Sequence, residues 1–251
     1  LLFYVGSWIQ ERSPAAGLIA TQWGLILAPV AAVLWYTRVN LRSALALRLP
    51  GPWQGAGAVL IALSWPVVAM QFGLMHNAWL PMPAEMRAAF EAVFDAIGAS
   101  GGLPMLLFAA ALSPAICEEA LFRGALATGL RRSAPVWLVV FVTALLFGVF
   151  HLSLYRILPT AFTGFILGYA VLRGGSLFIG MAIHFANNAA GILLTRPAVQ
   201  EALRPVFDVA AAESTWLPWW AVAAAVAVSA AGVVCIERGA RIEARRSAVL
   251  G

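Results

Sequence analysis

Lysine is absent from this 251-residue chain, and charge of either sign is scarce: Asp, Glu, Lys and Arg together make up 11% of residues, against roughly a quarter in soluble globular domains. So little charge cannot cover the surface of a water-soluble fold, and a disordered chain would need more of it still. There are two cysteines, Cys117 and Cys235, both inside apolar runs, which excludes a disulfide framework. The sixteen basic residues, all Arg, are dispersed between apolar runs and form no block, so the net charge of +5 gives no footprint for a nucleic-acid partner. What the chain has instead is hydrophobic sequence, 62% of it. That composition belongs to a polytopic membrane protein, with the lipid bilayer as its first partner.

A spanning helix needs about 20 mostly apolar residues. Seven stretches qualify, at about 15–37, 55–75, 103–130, 134–152, 156–172, 176–195 and 215–236. Residues 1–9 are apolar but too short, and lack the basic flank, for a signal peptide; they read as the end of a candidate eighth span. Helices are expected because a bilayer core offers no water to unpaired backbone groups, and the runs lack the alternation of barrel strands. The fold class is therefore all-α, a transmembrane helical bundle forming a single membrane domain over 1–251.

Alternation of seven spans puts Arg38, Arg42, Arg48, Arg131, Arg132, Arg173, Arg238, Arg241, Arg245 and Arg246 on one side. The other side carries Arg12, Arg87, Arg156, Arg196 and Arg204, offset by Glu11, Glu85, Glu91, Asp95, Glu201, Asp208 and Glu213. The positive-inside rule then places the C-terminus in the cytoplasm. On the outer side, residues 83–97 set Met86, Phe90, Val93, Phe94 and Ile97 on one helical face, the pattern of an amphipathic helix lying in the interface. Residues 198–209 are a weaker second case.

Ionisable groups within a span are costly, on the order of 2.5–3.5 kcal/mol each on insertion scales, and mark function. Span three holds Cys117-Glu118-Glu119 followed by Arg123; span four ends Phe147 to His151; span six holds His184 and Asn188. The third histidine, His76, falls at the outer end of span two, where a wet interfacial position is expected. Glu119 and Arg123 share a face at i,i+4, and so do Phe147 with His151 and His184 with Asn188. Glu118 points about 100° away from Glu119, to a different neighbour. Three helices each with one polar face are best accommodated facing one another. Ser113 and Pro114, one turn before Glu118, are expected to open the backbone there.

A carboxylate and two imidazoles in an apolar setting suit proton transfer. Glu118 can take a proton from a water held by His151, while His184 and Asn188 offer N–H donors to an oxyanion. Glu119 with Arg123 is then a structural pair fixing span three. The same Glu118, His151 and His184 also match the protein ligand count of a catalytic zinc site, although Asn188 is a poor zinc ligand. The expectation is a site without a cofactor, with zinc as the open alternative. Cys117 is read as a small buried hydrophobe rather than a nucleophile.

The three patterns together resemble the CPBP (ABI) family of intramembrane proteases, which includes the type II CAAX prenyl endopeptidases. Its Glu-Glu-x-x-x-Arg motif is similar to Glu118-Glu119-Ala-Leu-Phe-Arg123, its Phe-x-x-x-His motif to Phe147–His151, and its His-x-x-x-Asn motif to His184–Asn188. The resemblance covers roughly 103–195, the expected catalytic core. It implies a glutamate-dependent intramembrane endopeptidase with Glu118 and His151 activating water and His184 and Asn188 as oxyanion hole. It also implies a membrane-anchored protein or peptide as substrate (CAAX-like, leader-peptide or sorting-signal segments) and a bacterial inner-membrane location. Two other classes share parts of the pattern. A proton-coupled transporter would show inverted repeats, and none is visible. A non-catalytic peptide-binding or immunity protein need not keep all four of Glu118, His151, His184 and Asn188.

Overall fold

The computed structural model describes residues 8–204 and 216–250. Among them there are helices and no strand. Six helices are long and apolar enough to cross a membrane: α1 (Pro14–Tyr36), α2 (Pro52–Trp79), α3 (Ala84–Leu130), α5 (Leu154–Gly174), α6 (Leu177–Leu194) and α8 (Trp219 onward). A shorter apolar helix, α4 (Val136–Phe150), lies between α3 and α5, and a two-turn helix, α7 (Pro197–Leu203), follows α6.

The expected span at 134–152 is thus a helix of 15 residues, roughly 22 Å long. Its ends have local causes. Pro135 caps the start, and after the His151 C-cap the chain enters the left-handed region at Leu152, φ 48°. The last span runs the other way, continuing from Trp219 to Leu250 as 32 residues, well beyond the apolar stretch. Of the candidate eighth span, residues 1–7 lie outside the described residues, as do 205–209 of the second amphipathic stretch.

The amphipathic segment is helical and continuous in chain with span three, from which it is divided at Gly101 and Gly102, whose φ of −172° and 68° leave the helix. Ile97 is buried against the bundle, whereas Met86, Val93 and Phe94 are exposed. An apolar face that the protein leaves uncovered fits an interfacial helix. Along α4, Val140, Ala144 and Phe147 turn inward while Leu138, Phe141, Leu145 and Val149 remain exposed, the distribution of a helix facing lipid.

The core joins Ile61 and Trp65 of α2, Phe122 of α3, Phe147 of α4, Leu167 of α5, Ile179 and Ile183 of α6, and Ile236 of α8. Helices α2 and α8 cross closely. A β-carbon on Gly57 would stand 2.5 Å from the carbonyl of Gly232, and Ser64 and Ser229 share a hydrogen bond of 2.7 Å. Small and hydroxyl residues at a crossing are how membrane helices approach one another without a hydrophobic driving force.

One end of the bundle gathers the loops that carry most of the arginines. The backbone N–H of Leu177 donates to Ala46, Arg48 donates to the carbonyls of Gly174 and Gly175 and to Glu243, and Arg173 pairs with Glu237 through two bonds of 2.6 Å. Loop 38–51, the α5–α6 turn and the end of α8 therefore share a side, as alternation of the spans requires. His76 departs from expectation. It is buried, edge-on to Trp79, with no partner for Nε2 among the described residues. The helix runs on to Trp79 and covers it, so its setting is packed rather than wet.

Candidate active site

The site is built where α3 becomes irregular. Two π-helical stretches, Phe108–Leu112 and Ala120–Leu126, flank the α-helical Ser113–Glu119. Pro114 lacks the N–H that an uninterrupted helix would use, and the wide turn just ahead absorbs that loss. The expected opening at Ser113 and Pro114 is therefore a π segment beginning at Phe108; the break in the axis lies earlier, at the two glycines. Helix α1 has its own π stretch, Ala20–Leu27, beside this region.

Glu119 and Arg123 make the buried ion pair that their spacing predicts, Nη1 to Oε1 at 2.7 Å with both side chains fully covered. Arg123 also donates from Nη2 to the carbonyl of Gly164 on α5, 2.8 Å away, and its guanidinium stands 4.5 Å from the ring centre of Phe147. Gly180 on α6 makes room for the pair: a β-carbon there would lie 2.6 Å from Oε2 of Glu119.

Glu118 faces elsewhere. Its Oε1 accepts from Nε2 of Gln22 on α1 at 2.8 Å, and its Oε2 lies 3.9 Å from Nε2 of His184, beyond direct bonding. His184 itself is held through Nδ1, 3.0 Å from Oε1 of Glu119. A carboxylate paired with Arg123 only accepts, so Nδ1 carries the proton and Nε2 is the nitrogen left towards Glu118. His151, at the end of α4, is oriented by the same logic. Its Nδ1 donates to the carbonyl of Phe147 at 2.9 Å, leaving Nε2 as an acceptor. Phe147 stands edge-on to both imidazoles, with ring centres 5.2 Å from His151 and 5.6 Å from His184. Asn188, one turn beyond His184, makes a long bond of 3.4 Å from Nδ2 to the carbonyl of Ala110 in the first π stretch.

All three motif-bearing helices thus turn their polar faces to one another. Two participants were not anticipated. Gln22 is one, from a span in which nothing matched. The other is Arg156, assigned from sequence to an outer loop; it begins α5 within electrostatic range of Glu118 and His151 and covers the ring of Phe90 at 5.4 Å. Cys117 is buried and free. Among the described residues no group of three or more His, Cys, Asp and Glu is placed to hold a metal ion.

Comparison with protein families finds a match over residues 100–190, described as type II CAAX prenyl endopeptidase Rce1-like. Over residues 100–190 the chain is similar to an Rce1-like domain. The match begins at the glycine break in α3 and ends within α6, so it includes Glu118, Glu119, Arg123, Phe147, His151, His184 and Asn188 and leaves out Gln22. No curated protein and no solved structure matches the chain. The Rce1-like domain implies an intramembrane endopeptidase, and that class of protease acts on membrane-anchored substrates.

Proposed function

We propose that this chain hydrolyses a peptide bond of a membrane-anchored protein or peptide, with Glu118 as general base and then general acid. The observation that supports this reading is a buried carboxylate with one oxygen bonded to Gln22 and the other unbonded among the described residues, within electrostatic range of the His151 imidazole. In this mechanism a water lies between Oε2 of Glu118 and Nε2 of His151. Glu118 takes one proton as the water oxygen attacks the carbonyl carbon. The oxyanion is met by Nδ2 of Asn188 and by Nε2 of His184, a role that requires a proton on both nitrogens of that ring. Glu118 then gives its proton to the leaving amine as the C–N bond breaks, so protons balance without another acid. In this reading no step runs through a metal; zinc held by Glu118, His151 and His184 is the alternative that chelation tests.

Substrates of this kind include CAAX-like C-terminal segments, leader peptides and sorting signals. The arginine-rich end that gathers Arg38, Arg42 and Arg48 with the tail is the cytoplasmic side by the positive-inside rule, which sets the C-terminus in the cytoplasm. The test is a comparison of membrane-protein termini in host cells carrying wild type or Glu118→Gln. New termini that vanish in the variant establish the protease and give its substrate. Identical termini, with both proteins in the membrane, reject the reading.

A further inference from the structure

The carboxylate assigned as base is held by a residue outside the Rce1-like domain. Gln22 lies on α1, 96 positions before Glu118, and its Nε2 donates to Oε1 at 2.8 Å. We propose that Gln22 is a positioning residue for the hydrolysis: it engages one oxygen of Glu118 so that the other is the one presented to water. This inference rests on the reading of Glu118 as base.

Three features of α1 carry it. The amide is buried, 4% exposed, in a helix with no other amide side chain. Its own carbonyl oxygen has no donor among the described residues. A side chain serving only to pack α1 against α3 would do better as a methionine or leucine, because an unmet buried acceptor is unfavourable and an apolar group of that shape avoids it. The arrangement is repaid only at Glu118. The third feature is local geometry. Gln22 lies in the π stretch Ala20–Leu27, a backbone form concentrated at functional sites. The next residue, Trp23, donates from Nε1 to Oγ of Ser113 at 2.9 Å. Consecutive residues thus fix α1 twice to the segment that carries the base, once for register and once for the carboxylate.

A purely structural bond and a positioning bond predict different things. Losing the first lowers stability and leaves each folded molecule active. Losing the second lowers kcat per folded molecule and leaves KM in place. The experiment uses the full chain in detergent micelles and, as substrate, a peptide spanning the cleavage site given by the termini comparison. Wild type, Glu118→Gln and Gln22→Met are compared for kcat, KM and thermal midpoint. Gln22→Met is expected to lose about 10- to 100-fold in kcat per folded molecule, with KM within about twofold of wild type. Should Gln22→Met fail to fold, Gln22→Asn, which keeps the amide and shortens its reach, is expected to show the same kcat loss. A folded variant with kcat within about twofold of wild type overturns the proposal, as does a lowered midpoint with normal kcat per folded molecule. Either result with Glu118→Gln inert leaves the base intact. Glu118→Gln cleaving at the wild-type rate overturns both.

Discussion

The imidazole of His184 is bound to Glu119, with Nδ1 and Oε1 3.0 Å apart. The second carboxylate of the motif therefore does two jobs: it closes the ion pair with Arg123 and it sets which nitrogen of His184 faces the site. Disturbing the buried pair should be felt both in folding and, through His184, in the chemistry.

Arg123→Ala leaves Glu119 as an uncompensated buried charge, a loss of about 3–5 kcal/mol for pairs of this kind. It should lower the yield of monodisperse protein on size-exclusion chromatography well below that of Glu118→Ala, which removes only the bond to Gln22. Equal, normal yields of the two variants would reject the structural role of Glu119 and Arg123.

Gly180→Ala is a smaller change with a pointed effect. The new methyl would meet Oε2 of Glu119 at 2.6 Å, so the carboxylate or helix α6 must shift. Overpacking of this order costs about 1–3 kcal/mol, and the shift carries His184 with it. A lower thermal midpoint together with reduced kcat is expected. Gly191→Ala on the same helix, where a β-carbon meets nothing within 4 Å, should leave the midpoint unchanged within error.

Chelation separates the two uses of Glu118, His151 and His184. With water activated by the carboxylate, dialysis against a chelator should leave the cleavage rate within about twofold of the untreated protein. Loss of activity that zinc restores would make those three residues ligands instead.

The motifs were legible because each is local. Spacings of four residues on a helix put Glu119 with Arg123 and His184 with Asn188 on shared faces, and the cost of polar groups in lipid forces such faces together. Gln22 was not, because its bond to Glu118 joins positions 96 apart and periodicity carries no information at that range. One signal was available: a single amide in an apolar span is as much in need of a reason as a histidine. The π stretches were hidden for another reason. Alanine- and leucine-rich sequence such as Phe108–Leu112 satisfies an α-helix equally well, and the wide turn arises only from the packing of the finished bundle. His76 was misjudged on helix length, since three further residues covered what looked like an end.

The groups that meet in the site are strung along the chain from Gln22 to Asn188, on helices α1, α3, α4, α5 and α6. A ribosome delivers them in that order. Gln22 and Glu118 both precede His151, His184 and Asn188 in the chain, so the proposed base is made before the residues proposed to stabilise an oxyanion. Helix α6 is the last component to arrive, and until it inserts, Glu119 has Arg123 but not His184. On the proposed reading, the site is complete only once α6 has been made, after most of the spans that surround it.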